Sequence, residues 1–389
     1  MTFDQTSQFA AQGRTAATAL MNRLGNTFIN VRDDYGAKGD GLTDDTATLQ
    51  AALNAAFGTG TGTITQMAQR RVVIPPGKFI VRGNGLTGKN WFGGCVHGSG
   101  RFSTQIQNAD GGPVITTDGC QYMRFGDMQL DGSNGTSILF NLDFKGTGTA
   151  LQSNTFENMY FSDAGVGLMI AESGFMGSEN LILNCFFGNL SSRGLQVVGF
   201  NALQQTIVGG NFQNCGIGVN VNTGSVNVIN GVGFQDNGWD IQIDGASGNT
   251  MVVMGCRTES SNFINNLGTQ AISVMGCHQT SSVRGLFYTG NGGMVDIGGC
   301  FFNGQILPKG WTRLTMRSCE PNMEMAPNDW LIRQPTNWWY IPNNPQALVI
   351  ELENILSVTN SGAVDPPIGK QRIFTTDGQT VTTQNYVVA

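Results

Sequence analysis

From about residue 155 the chain falls into a period near 22 residues, and this repeat constrains its fold more than any other feature. Successive lines, NMYFSDAGVGLMI, NCFFGNLSSRGLQVV, GNFQNCGIGVNV, VGFQDNGWDIQI, MGCRTESSNFI, MGCHQTSSVRGLFY and GGCFFNGQI, superimpose on an apolar anchor. The anchors are Phe161, Phe186, Phe212, Phe234, Cys256, Cys277 and Cys300, at spacings of 25, 26, 22, 22, 21 and 23 residues. Spacings in this range mark a repeat architecture, in which no unit can bury its own apolar face and each packs on its neighbours. Turn chemistry that tolerates left-handed backbone follows the anchors, as in Asn214-Cys215-Gly216 and Asp236-Asn237-Gly238. The expectation is an all-β coil whose rungs lie ~4.8 Å apart, with aligned side chains stacked in columns. Cys256, Cys277 and Cys300 are then expected to continue the phenylalanine column as small hydrophobes.

Length and composition agree with a coil. At 389 residues the chain exceeds the usual size of one compact core, a limit that a solenoid escapes because each repeat contacts only the next. Glycine supplies 55 residues, about twice the average share, and charged residues only 12%, about half of it. A formal charge of −6 argues against a nucleic-acid binder, which needs a basic stripe. No apolar run reaches 18 residues, so membrane insertion is not expected. The eight cysteines show no C-x-x-C or zinc spacing and are expected to be reduced and structural. No metal or other cofactor is expected.

Ahead of the repeat, Asn30 to Ala56 reads as a charged, glycine-punctuated loop feeding a helix over 44–57. Thr43, Asp44 and Asp45 are placed to cap it, and Leu49, Leu53, Ala56 and Phe57 form its apolar face. That face is expected to cover the open N-terminal end of the coil, where core side chains and a strand edge would otherwise be bare. A further helix is expected over residues 5–24, with Phe9, Leu20, Met21 and Leu24 as its contacts, bracing the coil or attaching it to a partner. After Cys319 the repeat fades, proline returns, and Trp330, Trp338, Trp339 and Tyr340 cluster. The expected divisions are an N-terminal helical or attachment segment (1–29), the entrance with its helix (30–110), the rungs (111–320), and a small β-rich region for capping and oligomer contacts (321–389).

The run NVRDDYGAKGDGLTDDTATLQAALNAA, followed by RVVIPPGKFIVRG (Arg71 to Gly83) and WFGGCVHGSGRFSTQIQ (Trp91 to Gln107), resembles the opening of the pectate lyase 3 superfamily. The resemblance implies a right-handed, single-stranded parallel β-helix, as in pectinases, other polysaccharide lyases and glycosidases, and bacteriophage tailspikes. It also implies a homotrimer and a polysaccharide partner, but marks the helix entrance and not an active site. The N-terminus has no basic start followed by an apolar run, so no secretory signal is expected. Together these point to a phage tailspike-like protein made in the host cytoplasm and carried on the virion tail, with the N-terminus on a baseplate or tail adaptor. The alternatives are a non-catalytic, receptor-binding tail protein and a secreted extracellular pectinase-like enzyme.

Cleaving a polysaccharide by hydrolysis needs two carboxylates; β-elimination at a uronic acid needs a base and a cation to neutralise the sugar carboxylate. Acids are scarce in the coil, and the densest group follows the Cys256 anchor. Strand alternation sends Arg257 and Glu259 outward, His278 aligns with Arg257 one rung on, and Asp236 lies one rung back with opposite parity. Glu259 and Asp236 are therefore the expected catalytic carboxylates, with Arg257 and His278 holding anionic sugar. Asp163, about three rungs from Asp236, is too distant to pair with it. Glu157, Glu172 and Glu179 are a weaker second patch. His97 is read as a turn residue, and Asp40, Asp44 and Asp45 as helix-capping groups rather than a calcium loop.

Overall fold

The computed structural model describes residues 28–59, 71–145, 152–245 (except 175) and 250–280 (except 261 and 269). It also describes 285–289, 294–302, 304–308, 313–317, 320–321, 349–353, 371–376 and 380–385. The expected helix over 5–24 and the aromatic cluster near Trp338 lie outside these residues. Two long parallel sheets run side by side. In one, Phe28–Asn30, Arg71–Val73, Cys95–His97, Arg124–Gly126, Thr155–Glu157 and Leu181–Leu183 pair in succession. In the other, Thr104–Asn108, Gln129–Asp131, Tyr160–Ile170, Phe186–Val197 and Asn211–Val221 do the same. The chain alternates between the sheets, giving an all-β parallel solenoid of the right-handed type. Toward the C-terminus, Val349–Glu353 still pairs in parallel with Arg313–Arg317. Gln371–Thr376 and Thr380–Asn385 then add antiparallel strands.

Two helices precede the rungs: α1, Val31–Tyr35, and α2, Thr46–Phe57. The apolar side of α2 buries Leu49, Ala52 and Leu53 in the common core, and Phe57 packs on Trp91 with ring centroids 5.2 Å apart. The acids before α2 divide their work differently from expectation. Asp44 accepts from the Thr46 N–H at 3.0 Å. Asp45, at the cap position, makes no side-chain cap bond and instead accepts from the Lys38 and Gly39 amides at 2.6 and 3.0 Å. Asp40 accepts from the Leu42 and Thr43 amides at 2.9 and 2.8 Å, bonds that hold its carboxyl down at about 2.

Inside, the rings of Phe161, Phe187, Phe212 and Phe234 stack with centroids 4.7, 4.4 and 5.5 Å apart. This corrects the sequence register twice. The stacked residue of its rung is Phe187, not Phe186, and the position aligned with Phe234 is Thr258, not Cys256. The cysteines form a separate inward column two residues earlier, where Cys256, Cys277 and Cys300 follow Cys185 and Val232. Positions i and i+2 both face inward in a strand, so spacing alone cannot tell neighbouring columns apart. Cys185, Cys256, Cys277 and Cys300 each aim their thiol at a main-chain carbonyl of the previous rung, 3.4 to 3.7 Å away. The seven described cysteines are free thiols.

The turns carry ladders of their own. Asp127, Asn158 and Asn184 adopt φ of 56°, 51° and 50° and are joined by Asn158 Nδ2 to Asp127 Oδ1 (3.2 Å) and Asn184 Nδ2 to Asn158 Oδ1 (2.8 Å). Asp163, Asn189, Asn214 and Asp236 form a second left-handed column, with φ between 52° and 58°. Asn and Asp suit both, because their short polar side chains tolerate this conformation and bond locally.

Candidate functional site

The strand Arg257–Thr258 pairs with His278–Gln279 so that Arg257 stands directly opposite His278. Both face outward, since Thr258 and Gln279 between them are buried. Arg257 Nη2 lies 2.6 Å from Glu259 Oε1, with side-chain exposures of 64% and 37%. A pair so open to water contributes at most about 1 kcal/mol to stability, so it leaves both charges available to a ligand. His278 packs edge-on against Phe301, with centroids 4.7 Å apart. Asp236 is exposed on the preceding rung but belongs to the left-handed turn column, and its register partner by continuation is Ser260, beside Glu259 rather than on it. The structure thus brings Arg257, Glu259 and His278 together on adjacent rungs and sets Asp236 at the turn beside them.

A second charged cluster sits on the other sheet. His97, Gly126 and Glu157 occupy the same register position on three successive strands. A Cβ on Gly126 would lie 2.9 Å from both His97 Cε1 and Glu157 Cγ. Only the missing side chain lets the flanking residues meet across it. His97 Nδ1 is 3.1 Å from Asp127 Oδ2 and its Nε2 is 3.6 Å from Glu157 Oε1. Arg124 Nη2 grips both oxygens of Glu157 at 2.9 and 3.1 Å, and Asn158 fixes the other oxygen of Asp127. His97 Nε2 is buried without a hydrogen bond. The arrangement is an imidazole held between two carboxylates, one of them neutralised by a guanidinium.

The comparisons with known proteins agree with this architecture. Residues 28–90 match the family model described as rhamnogalacturonase A/epimerase, pectate lyase-like. A mannuronan C5-epimerase, AlgE2 of Azotobacter vinelandii, is 38% identical over 120 residues, covering 27% of this chain and 11% of the epimerase. A capsule K30/K69-specific depolymerase of Klebsiella phage K5-2 is 31% identical over 192 residues, 48% of this chain and 20% of that protein. The chain therefore matches only a fifth or less of the length of these relatives. The gp42 tailspike of Acinetobacter phage vb_AbaP_AS12 shares the fold across 94% of this chain and 67% of its own, with a TM-score of 0.55 at 9% identity. The chain has the fold of a parallel β-helix, and its residues 28–90 are similar to the pectate-lyase-like family.

The His97 cluster was not expected from the sequence. Its members are about 30 residues apart along the chain, and nothing local links them; the register of the rungs makes them neighbours. A usable signal was a histidine and a glutamate flanking a glycine at the same strand position, but only once the rung boundaries are fixed. The expected grouping of Glu157, Glu172 and Glu179 does not form. Glu157 holds Arg124, Glu172 accepts from Asn141, and Glu179 accepts from Gln152 and Ser153. Among the described residues no group of three or more His, Cys, Asp and Glu is arranged to hold a metal ion. No described helix is long and apolar enough to cross a membrane.

Proposed function

We propose that this chain binds and cleaves a bacterial surface polysaccharide, as the β-helix of a phage tailspike-like depolymerase carried on the virion tail. The observation that carries the proposal is the exposed Arg257, Glu259 and His278 group on adjacent rungs, in a chain similar over nearly half its length to a phage capsule depolymerase. Glu259 acts as acid or base and Asp236 as the second carboxylate if the reaction is hydrolysis. Arg257 and His278 bind the anionic group of the sugar. On this reading α2 closes the N-terminal end, residues 1–29 reach the baseplate or adaptor, and the active form is a homotrimer.

The test is product release from a panel of capsules, O-antigens and pectins, followed both as new reducing ends and as the ultraviolet absorbance of unsaturated sugars. Reducing ends alone indicate hydrolysis; absorbance indicates elimination. Glu259→Gln should lower turnover at least 100-fold, the scale of a lost acid or base, while binding persists. Unchanged turnover in that variant removes Glu259 and turns attention to the His97 cluster, whose two carboxylates flanking an imidazole supply the same type of chemistry. Binding without either product makes the chain a receptor-binding tail protein instead.

A further inference from the structure

Beneath the Arg257 and Glu259 pair the coil interior holds a buried acid. Asp240 is fully enclosed, and Asn237, Thr258 and Ser260 around it are no more than 5% exposed. Its Oδ1 accepts from Asn237 Nδ2 at 3.0 Å and its Oδ2 from Thr258 Oγ1, while the Ser260 hydroxyl supplies a third bond. These donors are themselves linked. The Ser260 amide donates to Thr258 Oγ1 at 3.2 Å, and the Asn237 amide donates to Ser260 Oγ at 3.0 Å. Asn237 also ties back to the previous rung, accepting from the Cys215 amide at 2.9 Å and donating to the Phe212 carbonyl at 3.0 Å. One network therefore joins three rungs inside the coil.

Thr258 and Ser260 are buried on either side of the outward-facing Glu259, and Asn237 follows Asp236. The bond from Asn237 to Ser260 thus crosses between the immediate neighbours of the two candidate carboxylates and fixes how their rungs sit against each other. Little opposes a negative charge on Asp240. From the strand Asn211–Val221 the titratable group facing it is the Cys215 thiol, which burial pushes up to about 12 and so keeps neutral. The strand Asn262–Asn266 has no titratable residue, Asn237, Thr258 and Ser260 are neutral, and Arg257 and Glu259 point the other way. Burial accordingly raises the Asp240 carboxyl from 3.8 to about 7, against the pull of its three donors. A hydroxyl gives or takes a hydrogen bond by turning, so the network closes around the neutral acid. Ionisation instead leaves a charge in the core without a counter-ion, relieved only by admitting water or by moving the donors, and the donors are the neighbours of Asp236 and Glu259.

We propose that Asp240 is an internal pH gate on the candidate site: while neutral it locks the Asp236 turn to the Glu259 strand, and when ionised it loosens them, so that reaction on the outer face is lost as pH rises. The proposal rests on the reading of Arg257, Glu259 and His278 as the reactive group and adds its regulation. Asp240 touches no substrate. It is a positioning residue that acts through Thr258, Ser260 and Asn237.

Two readouts on the full chain keep the gate and the site separable. The first is hydrogen exchange in peptides carrying Asn237 and Glu259, corrected for the intrinsic rise with pH and compared with peptides from residues 71–108. From about pH 5.5 to about pH 8.5 it should quicken at least fivefold in the unaltered protein and stay level in Asp240→Asn, which is neutral throughout. The second is turnover of any polysaccharide the chain cleaves. Over the same interval kcat of the unaltered protein should fall at least tenfold further than that of Asp240→Asn, with KM unchanged in both, a split that a merely weakened fold does not give. Thr258→Val deletes one donor to the carboxylate and should move both transitions up by about one pH unit. Level exchange in the unaltered protein, an equal rise in Asp240→Asn, or superimposable kcat profiles overturns the gate. Should Asp240→Asn not fold, unmoved transitions in Thr258→Val do the same. If no polysaccharide is cleaved, the reading of the outer site falls, and exchange alone decides whether Asp240 governs the two segments.

Discussion

Asp240 marks the place where the interior changes from stacked rings to polar groups. Beyond Phe234 the column continues as Thr258, and Asp240 accepts there from Thr258 Oγ1 and from Asn237 Nδ2 at 3.0 Å. Burial pushes its carboxyl up from 3.8 to about 7, against the opposing pull of hydrogen bonds from Ser260, Thr258 and Asn237. The folded chain therefore holds a proton that the unfolded chain releases near 3.8. The associated stability is fully present below that value and is lost as pH rises toward and through about 7. Asp240→Asn keeps a neutral side chain at every pH. Denaturant unfolding should give similar midpoints for the two proteins at pH 4 and a more stable variant at pH 8, by on the order of a few kcal/mol. Parallel pH dependence in both would mean that Asp240 is ionised in the folded state. His97 makes a different point at the same scale, because Gly126 determines its partners by leaving room for them.

The cysteine column gives the prediction that belongs to the strands. Burial pushes up to about 12 the thiols of Cys185, in that column, and of Cys215, outside it, and the thiolate is the reactive form. Of the seven described cysteines, only Cys95 is partly exposed. A thiol-reactive dye should label Cys95 quickly in the native protein, leave the other six slow, and label all eight cysteines only after denaturation; rapid native labelling of the column would contradict the packing. Much of this element was legible beforehand. The 21-residue step from Cys256 to Cys277 placed Arg257 opposite His278, and the left-handed turn role of Asp236 was readable from Asp-Asn-Gly. Spacing could not resolve which of two consecutive phenylalanines faces inward, hence Phe186 for Phe187, nor which of the inward positions i and i+2 an anchor occupies, hence one column for two. The His97 cluster was illegible for a related reason. Its members join only through register across rungs, and that register depends on turn lengths that vary from rung to rung.

At the scale of the whole molecule, a net charge of −6 sets how the chain meets a charged polymer. Repulsion between like charges slows encounter and is screened within about 10 Å at moderate ionic strength. Association with an anionic capsule should therefore quicken as salt rises from low to physiological levels, whereas association with a neutral glycan should stay flat. Surface plasmon resonance on both classes reads this directly, and a slowing with salt on the anionic class would mean that the Arg257 and His278 face steers the encounter. The parallel register has a mechanical corollary. Each rung hangs from the last by hydrogen bonds lying along the coil axis, so an axial pull loads the rungs in series and the chain yields at its weakest one. An axial push meets phenylalanine rings already stacked 4.4 to 5.5 Å apart, and such rings have little distance left to close. The coil is a strut rather than a cable.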